Sequence, residues 1–256
     1  MTHAGARGLV LVAVLGQACA GRIPLPKVYE VSGVGELASR MAAARSPLSS
    51  YTAEVRITYF GREGRVRTTG SIAVARPASL RYEVTGPQGG VVNAFATNGV
   101  ELQALDLAAS HFAYGPATPR NLDRLLPFAP LGLDPAALVR LFFGEVDVPA
   151  TAALGYDDRA GRFVLTWTEA GGERRVEVDP ARSRITRALV RERGVVVSDV
   201  SIEERDGRGL PVVLHVTVPP ARSELEAKLR DVEANPALEP SVFVLDAPAG
   251  VATEHL

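Results

Sequence analysis

Cysteine is almost missing from this chain: 256 residues carry one, Cys19. An intrachain disulfide is therefore excluded, whatever the redox compartment. Net charge is nearly missing too, since 28 Lys and Arg against 29 Asp and Glu leave −1. That balance gives no electrostatic basis for nucleic acid or an anionic surface as the main partner. Histidine is sparse and scattered, at His3, His111, His215 and His255. No H-E-x-x-H, no G-x-S-x-G and no Cys/His ligand spacing occurs. The expectation is a protein without cofactor or metal and without enzymatic chemistry. Low-complexity tracts and convincing internal repeats are lacking as well, with Gly and Pro spread over many turns as an all-β chain requires.

What is present begins with an N-terminal signal. Met1 to Gly8 carries Arg7 and no acid, and Leu9 to Leu15 is wholly apolar yet too short to cross a bilayer as a helix. Gly16, Gln17 and Ala18 then lead to Cys19. This stretch resembles a bacterial lipoprotein signal, in which the cysteine is acylated and becomes the mature N-terminus. Residues 1–18 are then the signal peptide, Cys19 the lipid attachment site and 19–34 an anchor and tether. The Pro-punctuated Arg22 to Lys27 is extended. The rival reading is a soluble exported protein cut after Ala20, because Ala18 and Ala20 also satisfy the small-x-small rule.

A hydrophobic fraction of 46% supplies a sizeable core. In Tyr51 to Tyr59 the apolar or aromatic Tyr51, Ala53, Val55, Ile57 and Tyr59 alternate with Thr52, Glu54, Arg56 and Thr58. Side chains on a strand alternate between faces, so this is a strand with one oily and one wet face. Val66 to Val74 and Leu80 to Val84 continue the rhythm as an antiparallel meander. Asn98-Gly99 between two apolar runs is the strongest hairpin signal. Ahead of the meander, Gly35 to Arg45 places Leu37, Met41 and Ala44 at helical spacing.

Between about 116 and 148 the pattern turns helical. Asn121 to Leu126 is one helix. Asp134 to Phe143 is another, with Asp134 as N-cap, Pro135 at the first helical position and Gly144 past the end. The apolar linker between them, with Phe128, Leu131 and Leu133, must be buried or touch something apolar. Strands return from Ala153 and run to Val218. Residues 224–233 fit a helix by propensity and a strand by alternation, and the neighbouring strands weigh toward a strand. Ser241 to Asp246 is expected to close the sheet. The remaining polar clusters read plainly. Gly86 to Gly90 is a turn lacking the Lys-Ser/Thr of a phosphate loop. Asp157-Asp158 is a solvated turn rather than a calcium site. Arg182 to Arg193 is a wet sheet face, with a headgroup contact as the sharper alternative.

The order of these elements, with Pro77 to Tyr82 (P-x-x-L-R-Y) ending the first meander and Asn235 through Phe243 to Pro248 ending the second, resembles the LolA/LolB lipoprotein-carrier superfamily, and within it an uncharacterised LolB-like lipoprotein branch. The resemblance implies a mainly β chain with helices (α+β), a curved antiparallel half-barrel closed by a helical lid, as a single domain over 35–256. It implies an apolar cavity lined by Val55, Ile57, Ile72, Leu80, Tyr82, Val84, Phe163, Leu165, Trp167 and Val216. The lid would carry Leu122, Leu125, Leu126, Leu138, Leu141 and Phe142, and Phe128 and Leu131 would form a membrane-contact loop. The implied function is binding of a lipid or of a lipoprotein's acyl chains by a monomer at the periplasmic face of the outer membrane, since Ala20 and not Asp follows the cysteine. The alternative is a structural or assembly lipoprotein whose sheet is filled by its own side chains and binds protein.

Overall fold

The computed structural model describes residues 24–62, 64–86, 88–126, 131–169 and 171–256. Among them the chain is mainly β, with three α-helices: α1 (Val34–Ala43), α2 (Pro119–Leu125) and α3 (Pro135–Phe142). The first meander comprises β1 (Ser50–Gly61), β2 (Gly64–Ala75), β3 (Ser79–Thr85), β4 (Val91–Thr97), β5 (Glu101–Asp106) and β6 (His111–Pro116). After α2 and α3 come β7 (Ala153–Asp157), β8 (Arg162–Glu169), β9 (Gly172–Asp179), β10 (Arg184–Glu192), β11 (Val195–Arg205), β12 (Pro211–Val218) and β13 (Ser223–Ala234), and β14 (Ala252–His255) ends the chain.

All fourteen strands belong to one sheet, in the order β14-β6-β5-β4-β3-β2-β1-β13-β12-β11-β10-β9-β8-β7. Each meander pairs strand to next strand, and the two are fused where β1 meets β13, with Val55 opposite Leu229 and Phe60 opposite Glu224. Every pairing is antiparallel except that of β14 with β6. Register shifts at Thr52/Glu54, Val84/Thr85 and Ile185/Arg187 insert extra residues into one partner, which bends and twists a sheet. The result is one large, open, curved sheet. At Gly70 a Cβ would lie 1.9 Å from the Glu83 carbonyl oxygen, so β2 and β3 approach there as only glycine allows.

The 224–233 ambiguity is resolved as strand: β13 alternates buried Leu225, Ala227 and Leu229 with more exposed neighbours and is paired on both sides. Two stretches differ from expectation. Ser241 to Asp246 is not a strand. It forms a short 3₁₀ turn (Pro240–Phe243) and a strap over the sheet's outer face, held where Arg81 Nη1 donates to the carbonyl of Val242 at 2.8 Å and the Leu245 N–H to Gln103 Oε1 at 2.6 Å. Pro236, Pro240 and Pro248 each remove a donor that a ladder would need. The closing strand is Ala252–His255, which has no alternating apolar signal of its own.

Three cores follow from this layout. The largest joins the inner faces of β1–β5, β12 and β13 to α2 and α3, with Val55, Ile72, Leu80, Phe95, Leu138 and Leu229 among its buried residues. The second lies under α1, where fully buried Leu37 meets Phe163, Leu165, Val176, Val178, Ile185 and Ile202. Residues 24–33 run against β7 and β8: Leu25 N–H donates to the Asp158 carbonyl, and the Tyr29 ring sits 5.3 Å from that of Phe163. A third, small core, Ala94, Ala96, Leu105, Phe112 and Leu245, fixes the C-terminal strap to the outer face.

Candidate functional site: an apolar cavity under two helices

The inner face of the first core does not fill completely. A cavity of about 110 Å³ remains between the sheet and the two helices. Strand alternation supplies its floor: Val55 and Ile57 from β1, Ile72 from β2, Leu80 and Tyr82 from β3, Phe95 from β4, Leu214 and Val216 from β12, and Leu225 and Ala227 from β13. Its roof is Leu126, Leu131, Leu138, Leu141 and Phe142.

Local chemistry sets the roof helices in place. Thr118 caps α2, its hydroxyl accepting from the Asn121 N–H at 3.2 Å ahead of Pro119. Asp134 caps α3, its Oδ1 accepting from the Ala137 N–H at 2.7 Å ahead of Pro135. Both are the arrangement that satisfies a helix's free N–H groups. Asp123 on α2 also accepts from the Gly132 N–H at 3.0 Å, which ties the linker back to the first helix. Beyond α3 the chain turns at Gly144, whose φ of +73° is left-handed. The next residue, Glu145, is buried and takes a bidentate ion pair from Arg76, at 2.6 and 3.0 Å. The Arg76 guanidinium also covers the Phe143 ring at 3.9 Å, and Phe143 meets Tyr51 edge-on at 5.4 Å. This cluster closes one end of the first core.

Tyr82 brings the only side-chain polar atom among the lining residues. Burial pushes its phenol up, and a hydrogen bond with the Thr68 hydroxyl pulls it partly back. No lining group can carry charge at neutral pH, so the space offers dispersion contact and water exclusion and nothing that moves a proton. Among the described residues no group of three or more His, Cys, Asp and Glu side chains could hold a metal, and no helix is long and apolar enough to cross a membrane.

Of the ten cavity residues expected from sequence, Val55, Ile57, Ile72, Leu80, Tyr82 and Val216 line this space together. Val84 is half-buried on β3 and does not reach it. Phe163, Leu165 and Trp167 lie elsewhere, in the core beneath α1. Their alternation is genuine, but α1 and not α2 or α3 covers that part of the sheet. Leu126, Leu138, Leu141 and Phe142 line the roof, whereas Leu122 and Leu125 pack into the same core without facing the cavity. Leu131, expected at a membrane, faces the cavity instead. Phe128 and Cys19 lie outside the described residues. Sequence reasoning missed Phe95, Leu214, Leu225 and Ala227. Leu214 shares the two-residue period of Val216 and could have been found that way, while Leu225 and Ala227 were hidden by the helix-like composition of β13.

No protein-family model matches the chain, and no curated protein sequence matches it either. Solved structures do. A domain from Vibrio parahaemolyticus, provisionally named an outer membrane lipoprotein-sorting protein, superposes with a TM-score of 0.55 at 13% identity, over 81% of this chain and 94% of that one. A LolA superfamily protein from Nitrosomonas europaea gives 0.55 at 12% identity, over 84% and 99%. A DUF1329 family protein from Desulfovibrio piger gives 0.56 at 11% identity, over 81% and 94%. At such identities the likeness is one of fold, and it singles out no LolB-like branch. A single curved, almost wholly antiparallel sheet, two meanders fused at β1 and β13 and helices packed on its inner face make up the fold this chain shares with these three structures, among them a LolA superfamily protein.

Proposed function

We propose that this chain binds lipid, or the acyl chains of a lipoprotein, in the cavity under α2 and α3. The sheet then acts as a half-barrel and the two helices with their linker act as its lid. The observation that carries this reading is a space enclosed by fourteen aliphatic or phenylalanine side chains and one tyrosine. Burying hydrocarbon is worth about 0.8 kcal/mol per methylene, so a lining of this kind holds an acyl chain without any specific polar contact. At 110 Å³ the closed form is smaller than the ~150 Å³ apolar cavity that admits benzene in an engineered protein. Only part of an acyl chain fits, and a whole one requires α2 and α3 to lift.

In the same reading Cys19 carries the lipid anchor, and the protein works as a monomer at the periplasmic face of the outer membrane. The names of the Vibrio parahaemolyticus and Nitrosomonas europaea structures support this choice of ligand at the level of fold. Displacement of a fluorescent fatty acid tests the cavity. Wild type should bind it, and Val216→Trp, which fills the floor, should weaken binding about tenfold or more while leaving the thermal transition within a few degrees. Binding that is absent in wild type, or equal in the variant, refutes the lipid site and favours an assembly lipoprotein that recognises protein. Mass spectrometry of protein purified from membranes checks the Cys19 modification and any co-purifying lipid.

A further inference from the structure

Antiparallel turns alternate between the two rims of a sheet, and one rim of this molecule is chemically unlike the other. The β1–β2 turn and the β12–β13 turn are neighbours there, because Phe60 on β1 is paired with Glu224 on β13. Phe60 and Val66 stand 41% and 57% exposed at the first turn. Arg62, Arg65 and Arg67 stand on the same hairpin and Arg222 at the neighbouring β12–β13 turn, all exposed, with the Arg65 guanidinium 5.1 Å from the Phe60 ring centre. Among the described residues none of these four arginines has an ion-pair partner. The acids nearby are engaged elsewhere: Glu224 bonds His215 at 2.8 Å and Glu226 meets Lys228 at 3.0 Å. Glu63 falls within the turn in sequence, which leaves Arg in excess even when it is counted. The cavity floor extends toward the same rim, since its residue Leu225 is opposite Tyr59, next to Phe60. The Tyr51–Phe143 contact and the Arg76–Glu145 pair close the far end.

We infer that this basic and apolar rim docks on an anionic phospholipid surface, Arg62, Arg65, Arg67 and Arg222 meeting phosphates while Phe60 and Val66 enter the interface. Cationic side chains around protruding apolar ones match an anionic headgroup layer with hydrocarbon beneath it. The inference deepens the lipid-binding proposal and rests on it for its purpose, because docking at this rim brings the mouth of the cavity to the bilayer.

The test uses the full chain with Cys19→Ser and Val66→Cys, so that a polarity-sensitive dye reports from the rim alone. A second form carries Val100→Cys, at a 74% exposed site in the β4–β5 turn of the opposite rim. Vesicles of phosphatidylcholine with one quarter phosphatidylglycerol should shift the dye to the blue at position 66 and not at position 100. Removing the phosphatidylglycerol, or raising salt to about 0.5 M, should abolish the shift. The quadruple variant Arg62→Gln, Arg65→Gln, Arg67→Gln, Arg222→Gln should weaken vesicle affinity about tenfold or more with circular dichroism unchanged. An equal shift on pure phosphatidylcholine, an equal shift at position 100, or undiminished affinity in the quadruple variant overturns the docking assignment. Fatty-acid displacement on the same proteins separates the two proposals: retained in the quadruple variant, it leaves the cavity standing apart from the rim, and absent in wild type that still docks, it removes the cavity and spares the rim.

Discussion

Glu145 shows at single-residue scale how a polar group serves an apolar site. It is 6% exposed, and its carboxylate answers Arg76 directly and Arg45 at 3.7 Å. Arg205 nearby gives its protons to the carbonyls of Gly209, Gly144 and Ile185. Burial, and then the like charge of Arg184, lowers the Arg205 guanidinium to about 10. Glu145→Gln would leave this group of arginines without its one carboxylate. Breaking a buried pair from one side costs about 3 kcal/mol, so the urea midpoint should fall accordingly with an unchanged slope. A shift no larger than that of a surface substitution would show the pair to be incidental. Little of this was visible beforehand. Arg76 and Glu145 are 69 positions apart, and neither sits in a pattern that marks it as buried.

At the scale of elements, α3 was the most legible piece of the chain. Asp134, Pro135 and Gly144 are start and stop signals that act within a turn of themselves, so they needed no tertiary information. The structure bears out the start at Asp134 and ends the helix at Phe142, with Phe143 as its cap. Asp134→Ala should cost about 1 kcal/mol and loosen the roof before the sheet. Amide exchange across Leu138–Phe142 should accelerate about fivefold while β1 and β13 stay protected, and exchange rising uniformly would mean that α3 does not open independently. The opposite case is β13, where Glu, Ala, Lys, Leu and Arg favour a helix. The free edges of β1 and β12 decided otherwise, because only a strand satisfies both. Residues 241–246 failed for the complementary reason: Phe243 and Leu245 are buried, but in a strap on the sheet's outer face rather than in a strand.

On the scale of the whole molecule, the sheet carries two inner cores, and the larger one spans both meanders. β11 links the two cores, with Val200 in the one under α2 and α3 and Ile202 in the one under α1. Nine paired positions along β1 and β13 fuse the halves. Unfolding should therefore be a single transition, with Trp167 fluorescence from the second core and far-ultraviolet circular dichroism from the whole sheet superimposing. Trp167 leading the transition would show that the core beneath α1 melts alone. The sequence by itself determined the class of fold, the strand faces and the helical interruption, because two-residue alternation, turn glycines and helix caps are local chemistry. Only the tertiary structure decided which helix covers which part of the sheet, and so why Ile57 and Val216 bound a cavity while Phe163 and Leu165 are buried beneath α1. A strand's pattern tells which side chains face inward, but what they meet there depends on segments that are distant along the chain.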